Sequence, residues 1–394
     1  MPSPSGVMPV LTRIRRAGLA AAAAAAPVAL AWRFAHVYRT RAGFPNQHPP
    51  TFDPSALGLA FETVEVPTPD GLALQAWWIP AGDGRGRRRS GRARPAVVLV
   101  HGWESGRHRT LPNAQVLHAI GFHVLTVDVR GHGANPAETL PVSAGEFGLD
   151  ALAGLRYALA RPEVTSVALL GHSMGAAGAA LAAADEPRLA ALVLVSTPAG
   201  PYRLTRQTFR LARLPIPDPI AYPLAWLTTR VYLKPRGHEV DAVSATSAVR
   251  RYSGPLLAIH GSDDRVVPVT NLERLVTAAR TARADFSQAA PVEALVVEGG
   301  QHSWLYEFRT YREAVARFLA EALGGPLPPE EAAAIAAGIE ARRPDDDERR
   351  FGALEALDGA VGSPQTSVPT LVPTSVPAPA QAPVGPPPAA SAEA

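Results

Sequence analysis

At 394 residues, of which 47% are hydrophobic and 19% charged, the chain can bury a full core and is too polar for a multi-span membrane protein. A net charge of +3, with no nucleic-acid motif, supplies no concentrated basic face and excludes nucleic acid as a partner. There is no cysteine, so disulfides, thiolate metal sites and cysteine nucleophiles are excluded, and the compartment stays open.

Arg13, Arg15 and Arg16 precede an uncharged stretch from Ala17 to Trp32, the pattern of a charged region followed by an apolar one. The stretch is short and alanine-dominated against the roughly 20 apolar residues of a spanning helix, and Arg33, Arg39 and Arg41 follow it, so charge does not set an orientation. Residues 1–44 are therefore expected to be an apolar anchor or signal-like segment that associates the protein with a membrane. A cleaved signal peptide or an Ala-rich surface helix are the alternatives, leaving a secreted or cytoplasmic protein. Since the segment precedes the first strand, its removal is expected to leave the chemistry unchanged.

From Phe61 to Val66 and from Leu72 to Trp78 the residues alternate as in strands, and Asp70-Gly71 marks a hairpin turn between them. A Gly/Arg loop follows. Its Arg85, Arg87, Arg88, Arg89, Arg92 and Arg94 read as a solvated insertion, with anionic lipid as the weaker alternative. Six short apolar runs then alternate with helical stretches: 96–100, 123–127, 166–170, 189–195, 256–259 and 292–297. That rhythm implies a mainly parallel sheet covered on both faces. The insert between Thr197 and Tyr252, rich in aromatics and prolines, reads as a cap, placed at about 198–252 of a domain covering 45–325. Residues 326–394 turn to Ala, Pro and Ser and are expected to be largely disordered, apart from a helix opening at Pro328-Pro329-Glu330-Glu331.

The strand Val167-Ala168-Leu169-Leu170 runs into Gly171-His172-Ser173-Met174-Gly175 and then into a small-residue helix. A bare G-x-S-x-G arises readily by chance, but a strand-to-helix turn is the context in which a serine is held strained and exposed as a nucleophile. Three further elements fall at the ends of predicted strands, where such sheets carry their active residues. His101-Gly102-Trp103 follows the run 96–100 and offers the Trp103 N–H, beside that of Met174, to an oxyanion. Asp264 lies on the turn after 256–259, and His302 follows 292–297 and a glycine pair. His101 reads as a structural loop histidine, because the base comes last in the order Ser, Asp, His.

From about Phe61 to Leu323 the chain resembles the α/β-hydrolase superfamily, in particular its membrane-associated serine hydrolases of esterase, lipase or serine-aminopeptidase type. The resemblance implies a mainly parallel, eight-stranded twisted sheet with helices on both faces and a small helical cap. The family pattern G-x-x-D-x-x-V-P lands its acid on Asp264 and leaves Asp263 as a neighbour, while D-x-R-G-H-G matches Asp128 to Gly133 as a structural loop. A serine at the elbow argues against the aspartate-nucleophile chemistry of the dehalogenating branch.

The expected activity is hydrolysis of carboxylic esters or thioesters of a small-molecule acyl substrate through an acyl-enzyme on Ser173, with His302 as base, Asp264 orienting it, and no metal or organic cofactor. The alternatives are a serine aminopeptidase-like peptidase and a non-catalytic, membrane-tethered binding protein on a hydrolase scaffold. Trp103, Trp226 and Trp304 are candidates for an acyl pocket, with Trp226 expected to tune chain length, beside the plainer reading that they pack.

Overall fold

The computed structural model describes residues 7–82, 93–284 and 290–341. The arginine loop, Arg94 apart, and the tail beyond 341 lie outside the described residues. In chain order the elements are a helix α1 (Val7–Ala42), strands β1 (Glu62–Pro67), β2 (Ala73–Ile79) and β3 (Arg94–Val100), helix α2 (Leu111–Ala119), β4 (His123–Val127), α3 (Ala144–Leu159) and β5 (Val164–His172). There follow α4 (Met174–Asp185), β6 (Ala191–Val195), α5 (Pro201–Leu211), α6 (Asp218–Leu233), α7 (Ala245–Val249), β7 (Leu256–Gly261), α8 (Thr270–Arg283), β8 (Val292–Val297), α9 (Arg309–Leu323) and α10 (Pro329–Ala337).

The eight strands form one sheet in the order β1-β2-β4-β3-β5-β6-β7-β8. The β1–β2 hairpin is antiparallel, β2 joins β4 antiparallel, and every later pairing is parallel. Because side chains alternate across a strand, the buried runs feed two cores. Val98, Val100, Val167, Leu169, Leu192 and Leu194 face α3, α4 and α7, where Phe147, Ala180 and Ala248 meet them. Val97, Leu99, Ala168, Leu170 and Val193 face the other way, onto Leu117 of α2, Phe318 and Leu319 of α9 and Ala336 of α10.

Two boundaries move relative to the expectation from sequence. Packed structure continues past 325: α10 opens with Pro329 and two glutamates in its first turn, and Ala332 and Ala336 bury against the second core. Buried Arg312 reaches across from α9 to the Ala336 carbonyl at 3.1 Å, where it joins the Ile339 N–H at 3.3 Å and ties the end of α10 to α9. The cap proper is α5 and α6, because α7 buries Ala245, Ala248 and Val249 in the first core and belongs to the body. Among the described residues no helix is long and apolar enough to cross a membrane. α1 exposes Leu19, Val28, Leu30 and Trp32 along its first part, then turns Phe34, buried Ala35 and Tyr38 against the cap.

Candidate active site

β5 leaves the sheet at His172 and the chain reverses at once into α4, so that Ser173 alone makes the turn, with φ +54° and ψ −118°. A non-glycine residue held there costs about 1–3 kcal/mol and persists only because its surroundings fix it. The flanking glycines are what let the turn close. A Cβ on Gly171 would stand 2.4 Å from the Gly175 carbonyl oxygen, and one on Gly175 would stand 2.2 Å from that of His101.

The structure brings Ser173, Asp264 and His302 together from the ends of β5, β7 and β8. His302 Nδ1 donates to Asp264 Oδ2 at 2.8 Å, and its Nε2 lies 3.0 Å from Ser173 Oγ. Since the carboxylate only accepts, the proton sits on Nδ1, leaving the Nε2 lone pair facing the serine hydroxyl. The other oxygen, Oδ1, accepts the N–H groups of Val266 and Val267 at 2.9 and 2.7 Å. Burial alone would raise the pKa of Asp264; the charge interaction with His302 and hydrogen bonds from His260 and His302 outweigh it and hold the carboxyl well below the usual range. Asp263 is exposed, and its side chain accepts the Ser262 hydroxyl at 3.0 Å rather than reaching His302.

Comparison with known proteins gives this geometry a family. The family model described as serine aminopeptidase, S33, matches residues 91–217. A Mycobacterium tuberculosis protein, Rv2307c, is 31% identical over 282 residues that cover 71% of this chain and 85% of that one. The chain belongs to the α/β-hydrolase superfamily of serine hydrolases. Its fold is shared with the Pyrococcus furiosus esterase Pf2001, at 24% identity and TM-score 0.54 over 71% of this chain and 100% of that one. It is shared equally with a puromycin-hydrolyzing peptidase of M. tuberculosis, at 20% identity and TM-score 0.54 over 68% of this chain and 40% of that one.

In this hydrolase the His101 loop is fixed by its own histidine. His101 Nε2 accepts the Val129 N–H at 3.0 Å, so Nδ1 carries the proton and donates to the Gly102 carbonyl at 2.7 Å. Burial holds its pKa well below the ordinary value, which keeps it neutral. Gly102 lies against Ser173: a Cβ there would approach Ser173 Cβ to 3.3 Å. Trp103 and Met174 line the same cavity as Ser173 and His302, and the Trp103 ring stands edge-on to His132 at 5.2 Å. The loop from Asp128 to Gly133 supports this arrangement from beneath. Asp128 Oδ1 accepts the Arg107 N–H at 2.6 Å, and Gly133, at φ +56°, leaves no room for a Cβ, which would sit 2.1 Å from the Asp128 carboxyl carbon.

Three residues that sequence reasoning missed hold the histidine and its acid. His260 Nε2 donates to the Val267 carbonyl at 2.7 Å and lies 3.2 Å from Asp264 Oδ2. The carbonyl of His302 is gripped twice, by His172 Nε2 at 2.8 Å and Ser196 Oγ at 2.9 Å. The available signal was repetition: His260-Gly261 repeats, at the end of another strand, the His101-Gly102 pair. Ser196, at φ +51° after β6, carries no motif.

Ser173 and His302 open on a cavity of about 820 Å³ between α1, the sheet end and the cap. Trp103 lines it, but the other two candidate tryptophans do not. Trp226 is 44% exposed and lies beside Arg230, because the cap helix turns Ala221, Ala225 and Thr229 inward at four-residue spacing and leaves position 226 about 100° round the helix. Trp304 lies under the Arg109 guanidinium at 4.4 Å and borders a separate space of about 50 Å³. No group of three or more His, Asp or Glu side chains suited to a metal ion occurs among the described residues.

Proposed function

We propose that this serine hydrolase cleaves carboxylic esters or thioesters of apolar acyl groups, with Ser173 as nucleophile, His302 as general base and then acid, and Asp264 as the residue that orients it. The observation that carries the reading is the junction of the Ser173–His302–Asp264 chain with a large cavity walled by residues such as Phe34, Leu204, Phe209, Leu214 and Val243. Ser173 Oγ attacks the acyl carbon as its proton passes to His302 Nε2. The negative charge that develops on the carbonyl oxygen is taken by the N–H groups of Trp103 and Met174, the second aided by the amino-terminal end of α4. Collapse breaks the bond to the leaving oxygen or sulfur, which takes the proton from His302. Water repeats the sequence on the acyl-enzyme and releases the acid.

A peptidase is the second reading, favoured by one feature: Glu104, the single carboxylate among the described residues lining the cavity, could hold a substrate amino group. Its Oε1 is already engaged by Asn46, at 3.1 Å from the main-chain N–H and 2.8 Å from Nδ2, which weighs against that use. A panel of p-nitrophenyl esters and thioesters of increasing chain length, run beside aminoacyl anilides, separates the two. Turnover of the esters with little of the anilides is expected; the opposite ranking moves the proposal to peptides.

A further inference from the structure

The helix that sequence reasoning set aside as an anchor enters the active site. Phe34, Tyr38 and Ala42 recur every four residues along one face of α1 and line the cavity with Ser173. The Tyr38 hydroxyl is 2.9 Å from Thr208 Oγ1, and its ring meets Phe209 edge-on at 6.0 Å and Tyr232 at 6.4 Å. Phe34 meets Phe209 edge-on at 5.4 Å. At the other end, the Ala42 carbonyl accepts the Tyr232 hydroxyl at 3.4 Å. Asn46, four residues on, grips Glu104, which follows Trp103 and is itself held at φ +49°. Between Ala42, four residues before the Asn46 that holds the Trp103–Glu104 loop, and Phe34, which packs on Phe209 of the cap, α1 covers roughly 12 Å of helix rise along the cavity wall.

We infer that α1 is the specificity element of this enzyme, with Phe34 and Tyr38 closing the distal end of the acyl pocket and setting the longest chain it admits. The inference rests on the acyl-hydrolase reading for its substrate class, although the wall itself is a matter of geometry. An added methylene that finds apolar wall gains roughly fourfold in specificity, and one that meets the closed end gains nothing.

The test is the rate at which the full-length chain is inactivated by p-nitrophenyl alkylphosphonates from ethyl to hexadecyl, with adduct formation at Ser173 read by mass spectrometry. The wild type should speed up with chain length to a limit. Tyr38→Ala should move that limit to longer chains, and Ala42→Phe, which fills the cavity nearer the serine, should move it to shorter ones. Tyr38→Phe, which loses the Thr208 hydrogen bond but keeps the ring, should leave it in place. Loss of structure would slow every phosphonate alike and cannot move the limit in opposite directions. An unmoved limit in both Tyr38→Ala and Ala42→Phe overturns the inference, as does a uniform change across all lengths in variants whose circular dichroism matches the wild type. If the limits move as expected but the p-nitrophenyl esters are not turned over, the assignment of α1 stands and the ester reading falls.

Discussion

Asparagine at position 264 is the sharpest probe of how the histidine is set. Asp264 uses both oxygens: Oδ1 for the N–H groups of Val266 and Val267, Oδ2 for His302 and, at 3.2 Å, His260. In Asp264→Asn the amide oxygen must stay at the Oδ1 position, since turning it over would leave two buried N–H donors unpaired at about 1–3 kcal/mol each. The NH2 group then faces His302 Nδ1 as a donor. The imidazole answers by moving its proton to Nε2, and an Nε2–H cannot accept the proton of Ser173. The expected loss is about 10³ to 10⁴ in kcat, equivalent to about 4–5 kcal/mol of transition-state stabilisation, with KM little changed. Asp263→Asn, whose exposed side chain accepts from Ser262, should stay within about twofold of wild type on the same p-nitrophenyl ester. A loss of less than about tenfold for Asp264→Asn, or a comparable loss for Asp263→Asn, refutes the tautomer argument.

Gly175→Ala should destabilise the fold by about 3 kcal/mol or more, read from the denaturant midpoint, because its Cβ would meet main-chain atoms of Val100 and His101 that cannot swing aside. An unchanged midpoint would mean the elbow is looser than drawn. Trp226→Ala should change stability by no more than about 0.5 kcal/mol and leave the ratio of kcat/KM between long and short esters unchanged, since the ring lies outside the pocket; a selective loss for long chains would return it to the acyl wall. Burial lowers the pKa of His132 and of His108 from 6.5 to about 4, so both stay uncharged in the fold. The unfolded chain binds their protons first, so the stabilisation is full above pH 6.5 and is lost as pH falls from there to about 4. Denaturant midpoints across that range should fall with pH, and His132→Asn should flatten the fall; a flat wild-type profile contradicts this.

Much of the frame was legible because its signals are local. Each strand from β3 to β8 is a short run of Val, Leu, Ile and Ala bounded by turn residues, and the hairpin β1–β2 alternates around Asp70-Gly71. That Ser173, Asp264 and His302 should meet could be read from their positions at strand ends, because a parallel sheet gathers those ends on one edge. What escaped depends on contacts far apart in sequence. Tyr38 meets Thr208 across 170 residues, and nothing in an alanine-rich, arginine-flanked stretch announces that its last turns complete a pocket. Trp226 was misplaced because aromatic content marks the cap as apolar without saying which helix face turns inward. His260 and Ser196 act on the backbone and carboxylate of other residues, a role that leaves no spacing pattern.

The central claim is that Ser173 is an activated nucleophile, and covalent labelling tests it most directly. The native full-length chain, treated with a fluorophosphonate, should acquire a single adduct mapped to Ser173, with ester hydrolysis lost in step with labelling. Labelling should vanish in Ser173→Ala and fall sharply in His302→Ala while both variants remain folded. A native chain that takes no label at Ser173, or a folded Ser173→Ala that hydrolyses esters at near the wild-type rate, would contradict the account.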